Sequence, residues 1–105
     1  MSATASRDHL VSALEPLGVR ARAMFGGYGL YLGDRFFGLV SSEGRVYFRT
    51  DELSRPDYLA RGMQPFQPAN RTAGPKTMAR NFEVPLDVLA DAEVLIEWAL
   101  RAARA

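Results

Sequence analysis

The sequence predicts an α+β fold, a two-layer sandwich in which helices pack on one antiparallel sheet. Apolar residues recur at helical spacing near both ends of the chain, and the region between them alternates short β-type runs with turn signals. The helical segments do not alternate one for one with strands, as they would in a parallel α/β fold. We expect the order α-β(3)-α-β(2)-α with an antiparallel sheet, in one domain spanning residues 1–105.

The first helix is predicted to begin at Ser6, because serine caps helix N-termini well. Leu10, Leu14 and Leu17 then recur at helical spacing and should face the core. Residues 1–5 are small and polar, and we expect them to be disordered.

An antiparallel meander is predicted between residues 19 and 49, where turn signals separate aromatic and β-branched runs. Gly26 and Gly27 interrupt the first run, and we expect them to be structural and to kink the strand between Phe25 and Tyr28. The three strands are expected at residues 24–32, 36–40 and 46–48.

Both faces of this meander are apolar, although a two-layer sandwich needs only one apolar face. Simple alternation places Phe37 and Leu39 on the same face, opposite Phe36 and Val40. The excess apolar surface is explained either within the chain, by edge packing or a curled sheet, or by a surface that a partner buries.

A second helix is indicated by Ser54-Arg55-Pro56-Asp57, which resembles a capping box with proline in the first turn. Gly62 stands where a left-handed C-cap belongs. Two strands, around Phe66 and within residues 77–82, should follow and be joined by a polar basic loop.

The last helix is expected from about Pro85 to near the C-terminus. Val94 and Trp98 lie together outside its main apolar stripe. Either a neighbouring loop covers Trp98, or the pair anchors an interface, where tryptophan is enriched. The candidate interface residues, which would form a homodimer, are Val94, Trp98, Phe37 and Leu39.

Composition argues against several functional classes. Apolar residues make up 48% and charged residues 24%, the balance of an ordinary globular domain. The chain has no cysteine and one histidine, and its carboxylates do not cluster, so we expect no metal site, no cofactor and no catalytic residue. No leader sequence or membrane-spanning run is visible, and we expect a cytoplasmic protein that does not act as an enzyme.

The charge distribution gives a weak indication of phosphate contact. Net charge is +1, too small to indicate a nucleic-acid binder, but residues 55–80 are locally basic. Within them Arg71, Lys76 and Arg80 are candidate phosphate contacts. Because no helix carries a basic cluster, nucleic-acid binding should be weak and non-specific at most.

The glycine run Gly26–Gly29 supports an alternative function. A dinucleotide fingerprint needs a strand before it and a helix after it, whereas a strand follows here. The run can still border a pocket. The alternative to an interaction domain is therefore a small ligand-binding protein or enzyme that uses a pocket near Gly26–Gly29.

The run Arg-Ala-Met-Phe-Gly-Gly-Tyr-Gly-Leu-Tyr at residues 22–31 resembles the signature of the TfoX/Sxy N-terminal domain family. The resemblance covers residues 6 to about 103 and implies the element order given above. It also implies a bacterial competence regulator that co-activates transcription with the cyclic-AMP receptor protein, through contacts with a transcription factor or polymerase component. The family has no catalytic residues to carry over. Further matches in order are Ser54-Arg55-Pro56, Gly62-x-x-Pro65-Phe66, Thr77-Met78, Val84-Pro85 and Leu95-x-x-Trp98-Ala99.

Overall fold

The structure is a computed structural model that describes residues 2–67 and 80–105. Within these ranges, helices pack on a sheet with the antiparallel order β1-β2-β3-β4-β5, which confirms the predicted α+β class. The helices are α1 (Ala3–Ala13), α2 (Arg55–Ala60), α3 (Leu86–Leu89) and α4 (Ala92–Arg104), with a 3-10 turn at Glu15–Leu17. The strands are β1 (Arg20–Met24), β2 (Gly27–Leu32), β3 (Arg35–Val40), β4 (Val46–Arg49) and β5 (Asn81–Glu83).

The core lies between the sheet and its helical layer. Helices α1 and α4 pack against one face of the sheet, called the inner face here. This burial of apolar side chains from both layers is the main stabilising contribution to the fold. The fully buried side chains of this core include Leu10, Leu14, Leu30, Phe37, Phe48, Val88 and Leu95.

Helix α1 begins at Ala3, three residues before its predicted start and within the segment expected to be disordered. Ser2 is the N-cap, and its hydroxyl accepts a hydrogen bond from the Ala5 N–H at 3.1 Å. Ser6 is instead buried inside the helix and donates to the Gly44 carbonyl at 2.6 Å. This bond links α1 to the β3–β4 turn.

The strand predicted at residues 24–32 corresponds to β2, and a strand that was not predicted, β1, precedes it across a tight turn at Phe25-Gly26. Both turn residues have positive φ, +49° at Phe25 and +80° at Gly26. A two-residue turn of this kind matches the twist of a hairpin. The prediction that Gly26 and Gly27 are structural is confirmed, because Gly26 has a positive φ and a Cβ at Gly27 would overlap the Val40 carbonyl. The hairpin turn itself was not predicted, because Phe25-Gly26 lacks the Asn-Gly or Asp-Gly signature of such turns.

A register shift between β2 and β3 changes which side chains share a face. The shift falls between Leu30 and Tyr31, so Tyr31 pairs with Phe36. Phe37 therefore turns into the core, where its ring packs on Phe48 with centroids 5.4 Å apart. The prediction that Phe37 and Leu39 share a face was wrong, because it assumed strict alternation through what is a β-bulge.

Helix α2 occupies the predicted span, with Ser54 as N-cap and Gly62 left-handed at φ +72°. A strand was predicted around Phe66, but residues 64–66 form only an isolated bridge to β5, from Pro65 to Phe82. The Phe66 N–H donates to the Asn81 carbonyl at 2.7 Å, and the Glu83 N–H donates to the Gln64 carbonyl at 3.0 Å. The predicted basic loop lies outside the described residues, except at its end.

The predicted last helix is divided into α3 and α4. Asp91 interrupts it with extended backbone, and its carboxylate accepts hydrogen bonds from the N–H groups of Glu93 and Val94 at 3.2 and 3.3 Å. An aspartate that satisfies these N–H groups favours a new helix start over a continuous helix.

Gly27 should be intolerant of any side chain. A Cβ built there overlaps the carbonyl oxygen of Val40 on β3, so β2 and β3 would have to separate. We expect Gly27→Val to lower the free energy of unfolding by about 1–3 kcal/mol, measured by chemical denaturation. Gly33→Asn is the control, because nothing lies within 4 Å of that Cβ position. Equal loss in both variants would contradict the steric explanation.

Phe25 should be strained by its left-handed backbone. Phe25→Asn should raise the free energy of unfolding by about 0.5–1 kcal/mol, because asparagine adopts positive φ more readily. Denaturant midpoints at unchanged slope would measure the gain. Phe25→Leu keeps the backbone strain and should bring no gain. A similar gain in both variants would place the cost in the exposed ring rather than in the backbone.

Candidate interaction surfaces

The face of the sheet opposite the helices, called the outer face here, is unusually rich in apolar and basic side chains. Cross-strand pairing defines its members, because paired residues point to the same side. One row runs from Arg22 through Gly29 and Leu39 to Tyr47 and Glu83. The row beside it contains Arg20, Tyr31 and Phe36, and Met24 lies towards the hairpin turn.

Gly29 forms the floor of an aromatic cluster on the β1–β3 part of this face. The rings of Tyr31 and Phe36 meet edge to face, with centroids 5.5 Å apart. A Cβ at Gly29 would lie 3.2 Å from each ring and 2.8 Å from the Met24 sulfur. The three side chains therefore lie over the glycine and remain half-buried. Glycine at this position lets them lie close to the sheet.

The β3–β5 part of the outer face is more fully covered. Leu39, a predicted interface residue, is buried. The Tyr47 ring packs against Phe66 with centroids 4.9 Å apart. Burial raises the pKa of the Tyr47 hydroxyl, and the nearby Glu83 carboxylate adds to the shift. Glu83 also pairs with Arg45 at 3.5 Å. Of the outer face, then, the β1–β3 part offers more open surface.

Trp98 is not exposed as the interface hypothesis requires. Only 6% of it is accessible, because α2 covers it: the Tyr58 ring packs on it at 4.6 Å. The guanidinium groups of Arg61 and Arg101 lie 5.2 and 5.8 Å from its centroid. The apolar surface predicted around Trp98 on the last helix is thus covered within the chain, by helix α2 rather than by a loop. Val94 is half-buried and packs against the core.

Helix α2 in turn exposes an apolar surface of its own. Leu53 is 87% exposed in the turn before the helix, and Leu59 is 56% exposed within it. Pro56 lies three residues before Leu59 and four before Ala60, so these three exposed residues share one side of the helix. We call these three residues and Leu53 the α2 patch. This patch was not predicted from the sequence, although a helical wheel with Tyr58 inward turns Leu59 outward.

The α2 patch rests on a firmly attached helix. Tyr58 is buried against both Trp98 and Phe82, and burial raises the pKa of its hydroxyl far above the ordinary value. Arg101 of α4 pairs with Asp57 at 2.8 Å. Exposed leucines on an element held in this way form a preorganised surface rather than a loose segment.

Asp51 stabilises the turn before α2 through hydrogen bonds. Asp51 accepts hydrogen bonds from the N–H groups of Ser54 and Leu53 at 2.9 and 3.0 Å. The Ser54 N–H is the main reason that the pKa of Asp51 lies below its ordinary value. The Asp51 carboxylate therefore has a structural role in the turn rather than a role in proton transfer.

A shallow concavity of about 440 Å³ lies beside Gly26 and Gly27, where the alternative function needs a pocket. Tyr28 forms one wall, and its hydroxyl accepts a hydrogen bond from Arg7 at 3.3 Å. The Arg7 guanidinium also lies 4.9 Å from the centre of the Tyr28 ring. The other lining residues are Ala3, Thr4, Ala23, Met24 and Phe25.

Among the predicted phosphate contacts, Arg80 is exposed just before β5. Its carbonyl accepts hydrogen bonds from the N–H and the hydroxyl of Thr50, both at 2.7 Å. This anchors the backbone while the side chain stays exposed. Arg71 and Lys76 lie outside the described residues.

The metal-ligating side chains of residues 2–67 and 80–105 are dispersed. No group of three or more histidine, cysteine, aspartate or glutamate residues is placed to hold a metal ion there. His9 is exposed, and its Nε2 donates to the Leu89 carbonyl at 2.7 Å, which ties α1 to α3. In those same ranges no helix has the length and apolar character needed to cross a membrane.

Comparison with known proteins agrees with the motif resemblance. No curated protein in the comparison matches the chain. A family model for the TfoX N-terminal domain matches residues 10–105, a range that includes the five described strands and α2, α3 and α4. A match over nearly the whole chain shows the family, and the chain belongs to the TfoX N-terminal domain family.

Proposed function

We propose that this chain is a non-enzymatic, cytoplasmic co-regulator of transcription that acts by binding other proteins. Family membership supports a competence-regulator-like domain. The observation that carries the protein-binding part is the α2 patch, where Leu53 in the preceding turn and Leu59 on the helix stay exposed while buried Tyr58 fixes the helix. Exposed leucines are common singly, but a cluster of apolar residues on an ordered element is typical of interaction sites.

The surroundings of the α2 patch suit a protein interface. Its apolar residues are bordered by the Arg61–Asp87 pair at 3.7 Å and the Arg101–Asp57 pair at 2.8 Å. An apolar centre with a charged, solvent-accessible rim is the usual arrangement of protein interfaces. Two partners are proposed for it, a second copy of the chain and a transcription factor or polymerase component.

In a homodimer, two-fold symmetry would place the α2 patch of one copy against that of the other. Leu59→Ser should then weaken self-association about tenfold or more, because an interface leucine buried by the partner is lost. Sedimentation equilibrium over a concentration series would measure this. Leu86→Ser, at a leucine 80% exposed on α3, is the matched control. A monomeric wild type at high micromolar concentration would contradict the homodimer.

Contact with a transcription factor needs a separate test. We expect the chain to bind a complex of the cyclic-AMP receptor protein with promoter DNA, the partner that the family suggests. Fluorescence anisotropy of labelled promoter would detect a further increase on addition of the chain. Leu59→Ser should reduce this increase, while Leu86→Ser should leave it unchanged. An equal effect of both variants would exclude the α2 patch as the contact surface.

The concavity beside Gly26 and Gly27 provides the test of the alternative function. A specific ligand must stabilise the folded state by mass action, so a thermal-shift screen against nucleotides and metabolites would reveal it. A saturable shift that Thr4→Val or Tyr28→Phe abolishes would favour a ligand carrier or enzyme over an interaction domain.

A further inference from the structure

The β1–β2 hairpin carries a surface that protein binding through α2 does not use. We propose that its outer face binds single-stranded nucleic acid without reading sequence, with arginines at the phosphates and aromatic rings against the bases. The residues concerned are Arg20, Arg22, Tyr31 and Phe36 on the outer face, together with Phe25 at the hairpin turn. This inference goes beyond the proposed function, because it assigns a different surface and a different class of partner.

Charge is the first argument. Arg20 and Arg22 are both exposed on the outer side of β1, and neither forms an ion pair within the described part of the chain. The acidic member of the outer-face row, Glu83, lies on β5 at the opposite edge and pairs with Arg45. The β1 edge is therefore cationic and open to a polyanion, whose bound counterions it would release.

The aromatic cluster is the second argument. Tyr31 and Phe36 lie beside the two arginines and are held over Gly29 in a fixed edge-to-face pair. The Arg22 guanidinium lies 5.8 Å from the centre of the Tyr31 ring. Half-buried rings next to arginines on an antiparallel sheet form a platform on which unpaired bases stack.

Phe25 is the third argument. Its ring is 93% exposed at the hairpin turn, although its backbone has the φ of +49° that a non-glycine residue avoids. A strained, exposed aromatic residue contributes little to stability and points to a binding role. Phe25 lies five residues from Arg20, roughly 16 Å along an extended β-strand. An oligonucleotide several nucleotides long would therefore contact both residues.

The arrangement favours single strands over duplexes and over acidic proteins. In a duplex the base faces are stacked on one another, and rings on a sheet cannot reach them. An acidic peptide would use the arginines and leave the rings without a role. Loss of binding on removal of a ring at unchanged charge would therefore show that bases stack on the rings, which distinguishes a nucleic acid from other polyanions.

The test uses the intact chain and fluorescein-labelled oligothymidylate of about fifteen nucleotides, followed by anisotropy between about 50 and about 200 mM salt. Arg22→Ala should reduce the salt slope by about 0.7 and weaken binding. Tyr31→Leu and Phe25→Asn should each weaken binding about fivefold or more, since a stacked base is lost. Phe25→Asn does so while keeping or raising stability, so unfolding cannot explain the loss.

Arg104→Ala is the control, because it removes the same charge from an exposed position at the end of α4, in the helical layer. It should leave binding within about twofold. Oligouridylate of equal length should bind within a few-fold, because the proposed contacts involve no sugar hydroxyl. The proposal is overturned by absent binding at low salt, by tighter duplex binding, by equal competition from polyglutamate, or by equal effects of Arg104→Ala and Arg22→Ala.

Discussion

Close approach between strands is the constraint on which the sheet and its outer surface both depend. Gly27 lies directly against the backbone of β3, where a Cβ would overlap the Val40 carbonyl. Gly29, two residues further along β2, leaves the space that Tyr31 and Phe36 occupy. The missing side chains keep the hairpin tightly paired and let large rings lie close to it. The glycine-rich run is thus a packing device, whatever binds beside it.

Local signals were sufficient to predict the elements whose ends are set by their own residues. The span of α2 follows from Pro56 in its first turn and from Gly62 after its last, because these residues act within one helical turn. The predicted capping box is not formed, since the Ser54 hydroxyl accepts a hydrogen bond from the Asp51 N–H instead of capping the helix. The β1–β2 turn and the β2–β3 bulge were missed. A turn at Phe25-Gly26 lacks the usual residue pair, and a bulge depends on packing across the sheet, which alternation along one strand does not report.

The candidate surfaces depended on long-range contacts and were harder to predict. A helical wheel left Trp98 outside the main stripe of the last helix, but the structure places it on the buried face with Leu95 and Ala99. The wheel could not show that Tyr58, forty residues earlier, packs on Trp98. The same contact turns Leu59 outward. Because α2 covers Trp98, the exposed apolar surface lies on α2 and not on α4. The Arg22–Tyr31 segment, by contrast, was singled out by sequence and carries the open part of the outer face.

The two proposed surfaces lie on opposite sides of the two-layer architecture, so each can bind its partner without covering the other. Helix α2 belongs to the helical layer, since Tyr58 packs on Phe82 and Trp98 in the core. The arginines and rings of the β1–β2 hairpin lie on the other side of the sheet. A protein bound at Leu59 would not cover Tyr31, and a nucleic-acid strand along β1 would not cover Leu59. One small domain can then hold a protein and a nucleic-acid strand together, which raises the local concentration of each near the other without any catalytic residue.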